Sequence, residues 1–166
     1  AMIHIFFGER TAGKILDVPK DTETQKIGSA GVVGSGTMGG GIAMNFANAG
    51  IPVIVLDQDE KNLERGIGVI EKNYQMMVDR GRLSQEMKDG VMSLITPSLN
   101  YEDLADCDIV VEAVYENLDL KQEIFKKLDD VVKGDAILAS NTSGLDIDAI
   151  SSVTERPEKV VGLSLI

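Results

Sequence analysis

Three glycines at positions 34, 36 and 39 form a G-x-G-x-x-G pattern, and the acidic residue Asp57 follows at close to the offset of about 20 residues typical of a ribose-binding acid. In such a pattern, the first glycine allows a sharp turn, the second lets the backbone approach a pyrophosphate, and the third lets a helix pack close to a strand. The N–H groups and the positive dipole end of that helix attract phosphates. These residue types and spacings predict a dinucleotide-binding turn that needs no basic side chain.

A strand, a turn, a helix and a second strand must position these residues. The sequence supplies a strand-like run at 29–33, a helical segment at 42–49 that Gly50 ends, and a second strand at 52–57 that finishes on the acid. Glycine makes up 17 of the 166 residues, so the glycine pattern alone would arise readily by chance. The complete βαβ unit around the pattern is what favours dinucleotide binding.

A second group of polar residues follows two more apolar strands, predicted at 109–114 and 136–139. Because ligands bind at the carboxyl ends of the strands in open α/β sheets, we expect this group near the cofactor. Lys121 and Ser143 are expected outside the apolar core, so that alanine at either position lowers cofactor affinity and leaves stability nearly unchanged. The alternative for 140–143 is a capping role before a helix near 146–150. The group consists of Tyr115, Glu116, Asn117, Lys121, Ser140, Asn141, Thr142 and Ser143.

The alternation of strands and helices predicts a Rossmann-type, doubly wound α/β fold with a mostly parallel sheet. After Asp57 a long helical pattern contains Gly66 and Gly68, which indicate close packing or a bend. Ser84 is typical of an N-cap for another helix at 85–92. Together the two helices predict a helical hairpin insertion, which either contacts substrate or serves as scaffold. Further strands are predicted at 94–96 and from residue 160 onward.

The composition restricts which classes of partner the protein can bind. A net charge of −11 makes nucleic acids and anionic membranes unfavourable partners. No apolar run approaches the roughly 18 residues of a membrane-spanning helix, and no metal site is predicted. Cys107, the single cysteine, is expected to pack inertly near the start of a strand. A lone cysteine fits a reducing compartment, for which we expect the cytoplasm of a bacterium or, alternatively, an organelle matrix.

Residues 1–26 differ in character from the rest of the sequence. An apolar cluster at 3–12 and a polar stretch at 17–26 predict a tail and linker from an upstream domain, which leaves 27–166 as the dinucleotide-binding domain. The only histidine, His4, lies in this tail without a partner in sequence, which favours a surface or packing role. We therefore expect the chain to be a piece of a longer protein.

Taken together, the motifs resemble the NAD-binding domain of 3-hydroxyacyl-CoA dehydrogenases across most of the predicted domain. The tail, from Phe6 through Pro19, is similar to the junction after the enoyl-CoA hydratase half of multifunctional fatty-acid oxidation enzymes. The resemblance implies NAD as the cofactor and oxidation of an L-3-hydroxyacyl-CoA to a 3-oxoacyl-CoA. The motifs that carry it are the glycine turn at 34–39, Asp57, the segment 111–117, Lys121 and the segment 140–143.

The resemblance also implies a role for each matching residue. Around the pyrophosphate and the adenosine ribose it implies Gly34, Gly36, Met38, Gly39, Asp57 and Gln58. On the nicotinamide side it implies Val114, Tyr115, Glu116, Lys121 and Ser143. Asn141 and Ser143 are implied as the catalytic pair near the substrate hydroxyl.

The sequence departs from the family at its end. In the family a catalytic His follows a Val-Gly-Leu, and a Glu orients and charges that His. Here Ser164 follows Leu163, and the Glu and the helical dimerisation domain would lie beyond residue 166. We therefore expect this chain to bind NAD without turnover, since a serine hydroxyl with no adjacent base is a poor proton acceptor.

Two alternatives remain open. One is another two-domain dehydrogenase, of the 6-phosphogluconate or sugar-nucleotide type, against which the spacing of Glu116 and Lys121 argues. The other is a nucleotide-sensing regulatory module without chemistry. For any of these, the acid at 57 and the lack of an arginine at 58–60 predict NAD over NADP, because a carboxylate repels a 2′-phosphate.

Overall fold

The fold is a six-stranded parallel sheet with helices on both faces. The computed structural model describes residue 21 and residues 23–163, so His4, the predicted tail up to residue 20 and Ser164 lie outside the described residues. The strands are β1 (Ala30–Val33), β2 (Val53–Leu56), β3 (Ile95–Ser98), β4 (Ile109–Glu112), β5 (Ile137–Ser140) and β6 (Val160–Gly162). The helices are α1 (Thr37–Asn48), α2 (Glu60–Asp79), α3 (Gln85–Met92), α4 (Leu118–Val131) and α5 (Ile147–Ser151), with 3₁₀ turns at Tyr101–Leu104 and Pro157–Lys159.

The strand order is β3-β2-β1-β4-β5-β6, and every pairing between these strands is parallel. The chain therefore winds outward from β1 to β3, returns to the centre, and winds outward again from β4 to β6. This confirms the predicted Rossmann-type doubly wound fold. The strand order reverses between β1 and β4, and at such a point the connections leave in opposite directions and open a crevice for a ligand.

The core lies on both faces of the sheet. Neighbouring residues of a strand point to opposite faces, so Val32 and Val55 pack with α1 and α2 on one side, whereas Val33 and Leu56 pack with α4 and α5 on the other. This double burial explains why the strands are continuous apolar runs. Cys107 is buried beside the second cluster, as expected, and burial raises the pKa of its thiol to about 11.

The ends of α1 and β3 differ from the sequence-based expectation. Helix α1 begins at Thr37 rather than near residue 42, because the glycines after the turn are already helical. Strand β3 includes Pro97, which the sheet tolerates because β3 is an edge strand.

The helical hairpin is confirmed: Ser84 accepts a hydrogen bond from the Met87 N–H at 3.1 Å and so caps α3. Among the described residues, no helix combines the length and apolar character that crossing a bilayer requires.

Asp108 anchors the segment before β1 to the amino end of β4. Its Oδ2 accepts hydrogen bonds from the N–H groups of Gly28 (2.6 Å) and Ser29 (3.0 Å), and its Oδ1 lies 2.5 Å from Lys133 Nζ. The Lys133 ammonium, followed by the Gly28 N–H, lowers the pKa of Asp108 from its ordinary value of 3.8 to about 2. The ionised carboxylate is therefore favoured in the folded state.

Because this pKa is lower in the folded chain than in the unfolded chain, Asp108 stabilises the fold above its unfolded pKa. That stabilisation is lost as the pH falls from about 4 towards 2. We expect Asp108→Asn to lower the free energy of unfolding at neutral pH and to flatten its decline across that acid range. Denaturant titrations at several pH values measure both effects. Asp106→Asn, at the exposed neighbouring position, is the control and should keep the wild-type slope.

Candidate dinucleotide-binding site

The glycine turn connects β1 to α1 at the carboxyl edge of the sheet. Gly34 has a φ of +103°, which side-chain-bearing residues rarely adopt, and a Cβ there would lie 2.8 Å from the carbonyl oxygen of Ala113. Gly39 is buried in the first turn of α1, where a Cβ would overlap the Gly34 carbonyl oxygen. A Cβ on Gly36, by contrast, would meet no atom within 4 Å. Gly34 and Gly39 are thus needed by the fold, and Gly36 leaves open space for a ligand.

The amino end of α1 faces this open space. No side chain caps the helix and its first turn contains no acidic residue. The first N–H groups of a helix have no partner within it, and the intrahelical bonds start with the Gly40 N–H donating to the Gly36 carbonyl at 2.8 Å. Met38, predicted to line the pyrophosphate, is exposed in this turn. The arrangement presents backbone donors to an anion.

Asp57 lies directly after β2 and is held by the turn itself. Its Oδ2 accepts hydrogen bonds from the Ser35 hydroxyl at 2.6 Å and from the Ser35 N–H at 3.0 Å, and its Oδ1 accepts one from the Asp59 N–H at 3.2 Å. Partial burial raises the pKa of Asp57, but these hydrogen bonds, led by that of the Ser35 hydroxyl, outweigh it and leave the pKa below its ordinary value. The carboxylate is therefore ionised and oriented before any ligand arrives.

Two residues of this arrangement were not assigned a part in the site from the sequence. Ser35 is buried and links Asp57 to α2, since its hydroxyl oxygen also lies 3.0 Å from the Asn62 carbonyl oxygen. Helix α2 can approach the glycine turn because residue 66 is a glycine. A Cβ on Gly66 would lie 2.7 Å from the Ser35 Cβ and would overlap the Ser35 carbonyl oxygen. The predicted close packing at Gly66 is confirmed, whereas a Cβ on Gly68 would meet nothing within 4 Å.

A cavity of about 570 Å³ lies at the point where the strand order reverses. It joins the glycine turn and Asp57 to the segment 113–115 after β4, and it also contacts Arg65 of α2. A smaller pocket of about 130 Å³ adjoins Asp57 and Gln58 and has apolar walls formed by Val33, Val114, Leu120 and Ile124. The Gln58 side chain is exposed, 3.5 Å from the Tyr101 hydroxyl. An uncapped helix end, an oriented carboxylate and an apolar slot thus lie side by side, an arrangement that suits a dinucleotide.

The loop after β4 and the loop after β5 meet at Glu116. Its carboxylate accepts a hydrogen bond from the Thr142 hydroxyl and others from the N–H groups of Ser143 (3.2 Å) and Gly144 (3.3 Å). The Thr142 hydroxyl, and more weakly the charge of Lys121, hold the pKa of Glu116 below its ordinary value. Sequence reasoning placed these loops together but did not identify the contact that joins them.

The expectation that Lys121 lies outside the core is wrong. Its side chain is fully buried and its Nζ lies 2.7 and 2.9 Å from the two carboxylate oxygens of Glu112, which is also fully buried. The prediction treated Lys121 as a charge at the surface, but the carboxylate of Glu112, the last residue of β4, reaches Lys121 in the first turn of α4. An acid at the end of an otherwise apolar strand was the available signal. Whether Lys121 also contacts NAD stays a prediction.

The residues after β5 do not cap the next helix. Asp146 is the N-cap of α5 and accepts a hydrogen bond from the Asp148 N–H at 2.9 Å, so the capping alternative for residues 140–143 is wrong. Asn141 instead joins two strand ends, because its Nδ2 donates to the Leu163 carbonyl at 2.8 Å. Ser143 and Tyr115 are exposed at the same edge and Val114 is half-buried. Among the described residues, no group of three or more His, Cys, Asp and Glu side chains could hold a metal ion.

Comparison with known proteins agrees with this geometry. Residues 29–164 match the family described as 3-hydroxyacyl-CoA dehydrogenase, NAD binding domain. The peroxisomal fatty acid beta-oxidation multifunctional protein MFP2 of Arabidopsis thaliana is 41% identical over 162 residues, which cover 97% of this chain and 22% of that protein. The fatty acid oxidation complex subunit alpha of Psychrobacter arcticus is 38% identical over 163 residues, which cover 98% of this chain and 22% of that protein. The chain thus spans about a fifth of the length of these multifunctional relatives.

A solved structure shows the same fold. The 3-hydroxybutyryl-CoA dehydrogenase from Escherichia coli superposes with a TM-score of 0.83 at 34% identity, over 86% of this chain and 30% of that chain. The alternative of a 6-phosphogluconate or sugar-nucleotide dehydrogenase is therefore wrong, and the predicted cofactor, NAD, is confirmed. The chain belongs to the family of NAD-binding domains of the 3-hydroxyacyl-CoA dehydrogenases.

Proposed function

We propose that this chain is the cofactor-binding part of an L-3-hydroxyacyl-CoA dehydrogenase of fatty-acid oxidation, and that NAD lies across the crevice between β1 and β4. The observation that carries the proposal is the single cavity that joins the uncapped amino end of α1, the oriented Asp57 carboxylate and the loop after β4. When bound, the cofactor supplies the hydride acceptor for oxidation of the 3-hydroxyl group.

In this proposal the residues of the chain bind the cofactor and orient the substrate. The backbone at Gly36 and Met38 donates to the pyrophosphate, and Asp57, with Gln58 beside it, accepts hydrogen bonds from the adenosine ribose. On the nicotinamide side we assign Val114, Tyr115, Glu116, Lys121 and Ser143. Asn141 and Ser143 orient the substrate hydroxyl, and another part of the full-length protein supplies the group that removes its proton.

The rest of the protein follows from the same proposal. An upstream enoyl-CoA hydratase domain and a downstream helical dimerisation domain complete it, which agrees with the greater length of the multifunctional relatives. The compartment we propose is a bacterial cytoplasm or an organelle matrix, in keeping with the single buried cysteine.

The decisive experiment uses the full-length protein with NAD and a short-chain L-3-hydroxyacyl-CoA, and follows the appearance of NADH. We expect turnover with the L enantiomer and little with the D enantiomer. Ser143→Ala in the same protein should lower kcat/KM, since the loss of a positioning group raises the barrier. Absence of NADH production with every acyl chain length tested would refute the proposal.

Asp57 should decide the preference for NAD over NADP. Its oxygens are held towards the cavity by Ser35 and Asp59, and the ionised carboxylate would repel a 2′-phosphate. We expect Asp57→Ala to weaken NAD binding about tenfold to a hundredfold, the range for loss of hydrogen bonds to a charged group, while NADP binding weakens less or improves. Calorimetric titrations with both cofactors measure the ratio.

The matched control for this prediction is Glu64→Ala. Glu64 is an exposed carboxylate on α2 outside the cavity that contains Asp57, so its removal changes the net charge equally. The control should keep the wild-type preference. Tighter binding of NADP than of NAD by the unaltered chain would reject the role of Asp57.

A further inference from the structure

Glu112 ends the strand beside the crevice, and the function proposed so far makes no use of its side chain. The residue is fully buried and pairs in register with Val33 of β1 and Ser140 of β5. Its Oε1 accepts hydrogen bonds from the Val114 N–H and from Lys121 Nζ, both at 2.7 Å. Its Oε2 accepts from the Ser140 hydroxyl at 2.6 Å and from Lys121 Nζ at 2.9 Å. The carboxylate is therefore fully satisfied away from water.

The partners of Glu112 belong to different elements of the cofactor edge. Val114 is in the loop after β4, Lys121 is in α4, and Ser140 is the last residue of β5. In addition, the Glu112 carbonyl oxygen accepts a hydrogen bond from the Asn141 N–H at 2.7 Å. Every residue assigned to the nicotinamide side thus bonds to Glu112 or lies close in sequence to one that does.

A second set of contacts extends from Lys121 to the ligand edge. Lys121 Nζ lies 3.4 Å from Oε2 of Glu116, whose other oxygen ties down the loop at 142–144. Burial of an isolated ammonium is very unfavourable, so Lys121 needs a partner in this position. Glu112 supplies that partner and holds the Lys121 side chain in place, and Lys121 in turn orients Glu116.

Stability alone does not account for this pair. A buried ion pair is often no more stabilising than apolar residues of the same volume, because both charges lose their hydration. The pair nevertheless lies at the end of β4 that borders the cavity, among the loops that bind the cofactor. One carboxylate holds the loop after β4, helix α4 and the end of β5 at hydrogen-bond distance, so this geometry can fix the relative positions of these three elements.

We propose that Glu112 is a positioning residue for the nicotinamide half of the site, a proposal that rests on NAD binding in the β1–β4 crevice. It acts through Lys121 and Ser140 and touches no ligand itself. The adenosine half, formed by the glycine turn and Asp57, has its own hydrogen bonds through Ser35 and shares with the partners of Glu112 only the Val114 wall of the pocket beside Asp57.

The test compares NAD with ADP, which lacks the nicotinamide nucleoside, by calorimetry on this chain. Glu112→Gln keeps the shape of the side chain and removes its charge. We expect the affinity for NAD to fall about tenfold and the affinity for ADP to fall less than about twofold. The charged hydrogen bond that is lost joins Glu112 to Lys121 on the nicotinamide side, whereas the Val114 N–H can still donate to the amide oxygen of the variant. The proposal is overturned if the affinities for both ligands fall equally, or if neither affinity falls.

Two further variants make the test independent of whether Glu112→Gln folds. Ser140→Ala leaves the ion pair intact and removes one hydrogen bond to Glu112. We expect the affinity for NAD to fall about threefold and the affinity for ADP to stay unchanged. Asp129→Asn removes the charge from the contact between Asp129 and Arg156 (2.6 Å), which lies away from the cavity, and should change the affinity for neither ligand. A selective loss of NAD binding in Asp129→Asn would show that the effect follows stability and would overturn the proposal.

The outcomes separate the two proposals. Failure of the unaltered chain to bind either ligand refutes the proposed function, and this inference with it. Normal binding of both ligands by the unaltered chain, with no selective loss in Glu112→Gln or Ser140→Ala, refutes this inference alone.

Discussion

Alanine in place of Gly39 is expected to cost the domain about 3 kcal/mol or more of unfolding free energy and to abolish NAD binding, because the added methyl group has no room. A Cβ at this position would overlap the Gly34 carbonyl oxygen and lie 2.9 Å from its carbonyl carbon. The turn cannot easily yield, since the Gly34 N–H is held by the Leu56 carbonyl at 2.8 Å. To relieve the overlap, α1 must move off β1, and its amino end, which we propose binds the pyrophosphate, moves with it. Denaturant titration and calorimetry with NAD measure the two losses.

Gly41→Ala is the control for Gly39→Ala. Gly41 lies two residues further along the same helix, where a Cβ would meet nothing within 4 Å. There alanine should stabilise the domain by about 0.5 to 1 kcal/mol through its greater helix propensity. If both variants lose the same stability, glycine is needed in α1 for a reason other than the contact with Gly34.

Removal of the Lys121 side chain is expected to destabilise the domain by about 3 to 5 kcal/mol, the range for breaking a buried ion pair from one side. Lys121→Ala leaves Glu112 buried with its charge uncompensated, and both side chains are fully buried in the unaltered chain. Ser143→Ala, at an exposed position, should leave the free energy of unfolding nearly unchanged. Chemical denaturation without NAD measures both. The sequence-based expectation of nearly unchanged stability stays a prediction for Ser143→Ala, and the burial of Lys121 replaces it for Lys121→Ala.

A double variant tests the cause of that loss. Lys121→Met combined with Glu112→Leu replaces the pair with apolar side chains of similar length, and it should regain most of the stability that Lys121→Ala loses. If the double variant is as unstable as the single one, the loss comes from packing or from the bonds of Glu112 to Val114 and Ser140. Both variants should still bind NAD more weakly than the unaltered chain.

Local chain chemistry was sufficient to predict the fold and the glycine turn at the carboxyl edge of the sheet. Gly34 is needed because of its own positive φ, and Gly39 because the chain turns back on itself within five residues. The strands were recognisable because each is buried on both faces and is therefore apolar throughout. Only the exact ends moved, as for α1 and β3, where a glycine-rich helix start and an edge proline obscured the pattern.

The partners of the polar side chains were decided by the tertiary structure. Asp57 meets Ser35 because β1 and β2 are neighbours in the sheet, and Glu116 meets Thr142 because β4 and β5 are. Lys121 is buried rather than solvated because it lies beside the end of β4, where the Glu112 carboxylate accepts hydrogen bonds from its ammonium group. The physical reason is that apolar periodicity and backbone requirements are properties of short segments, so the sequence determines them by itself. The environment of a charge depends on which distant segments the topology brings within hydrogen-bond distance.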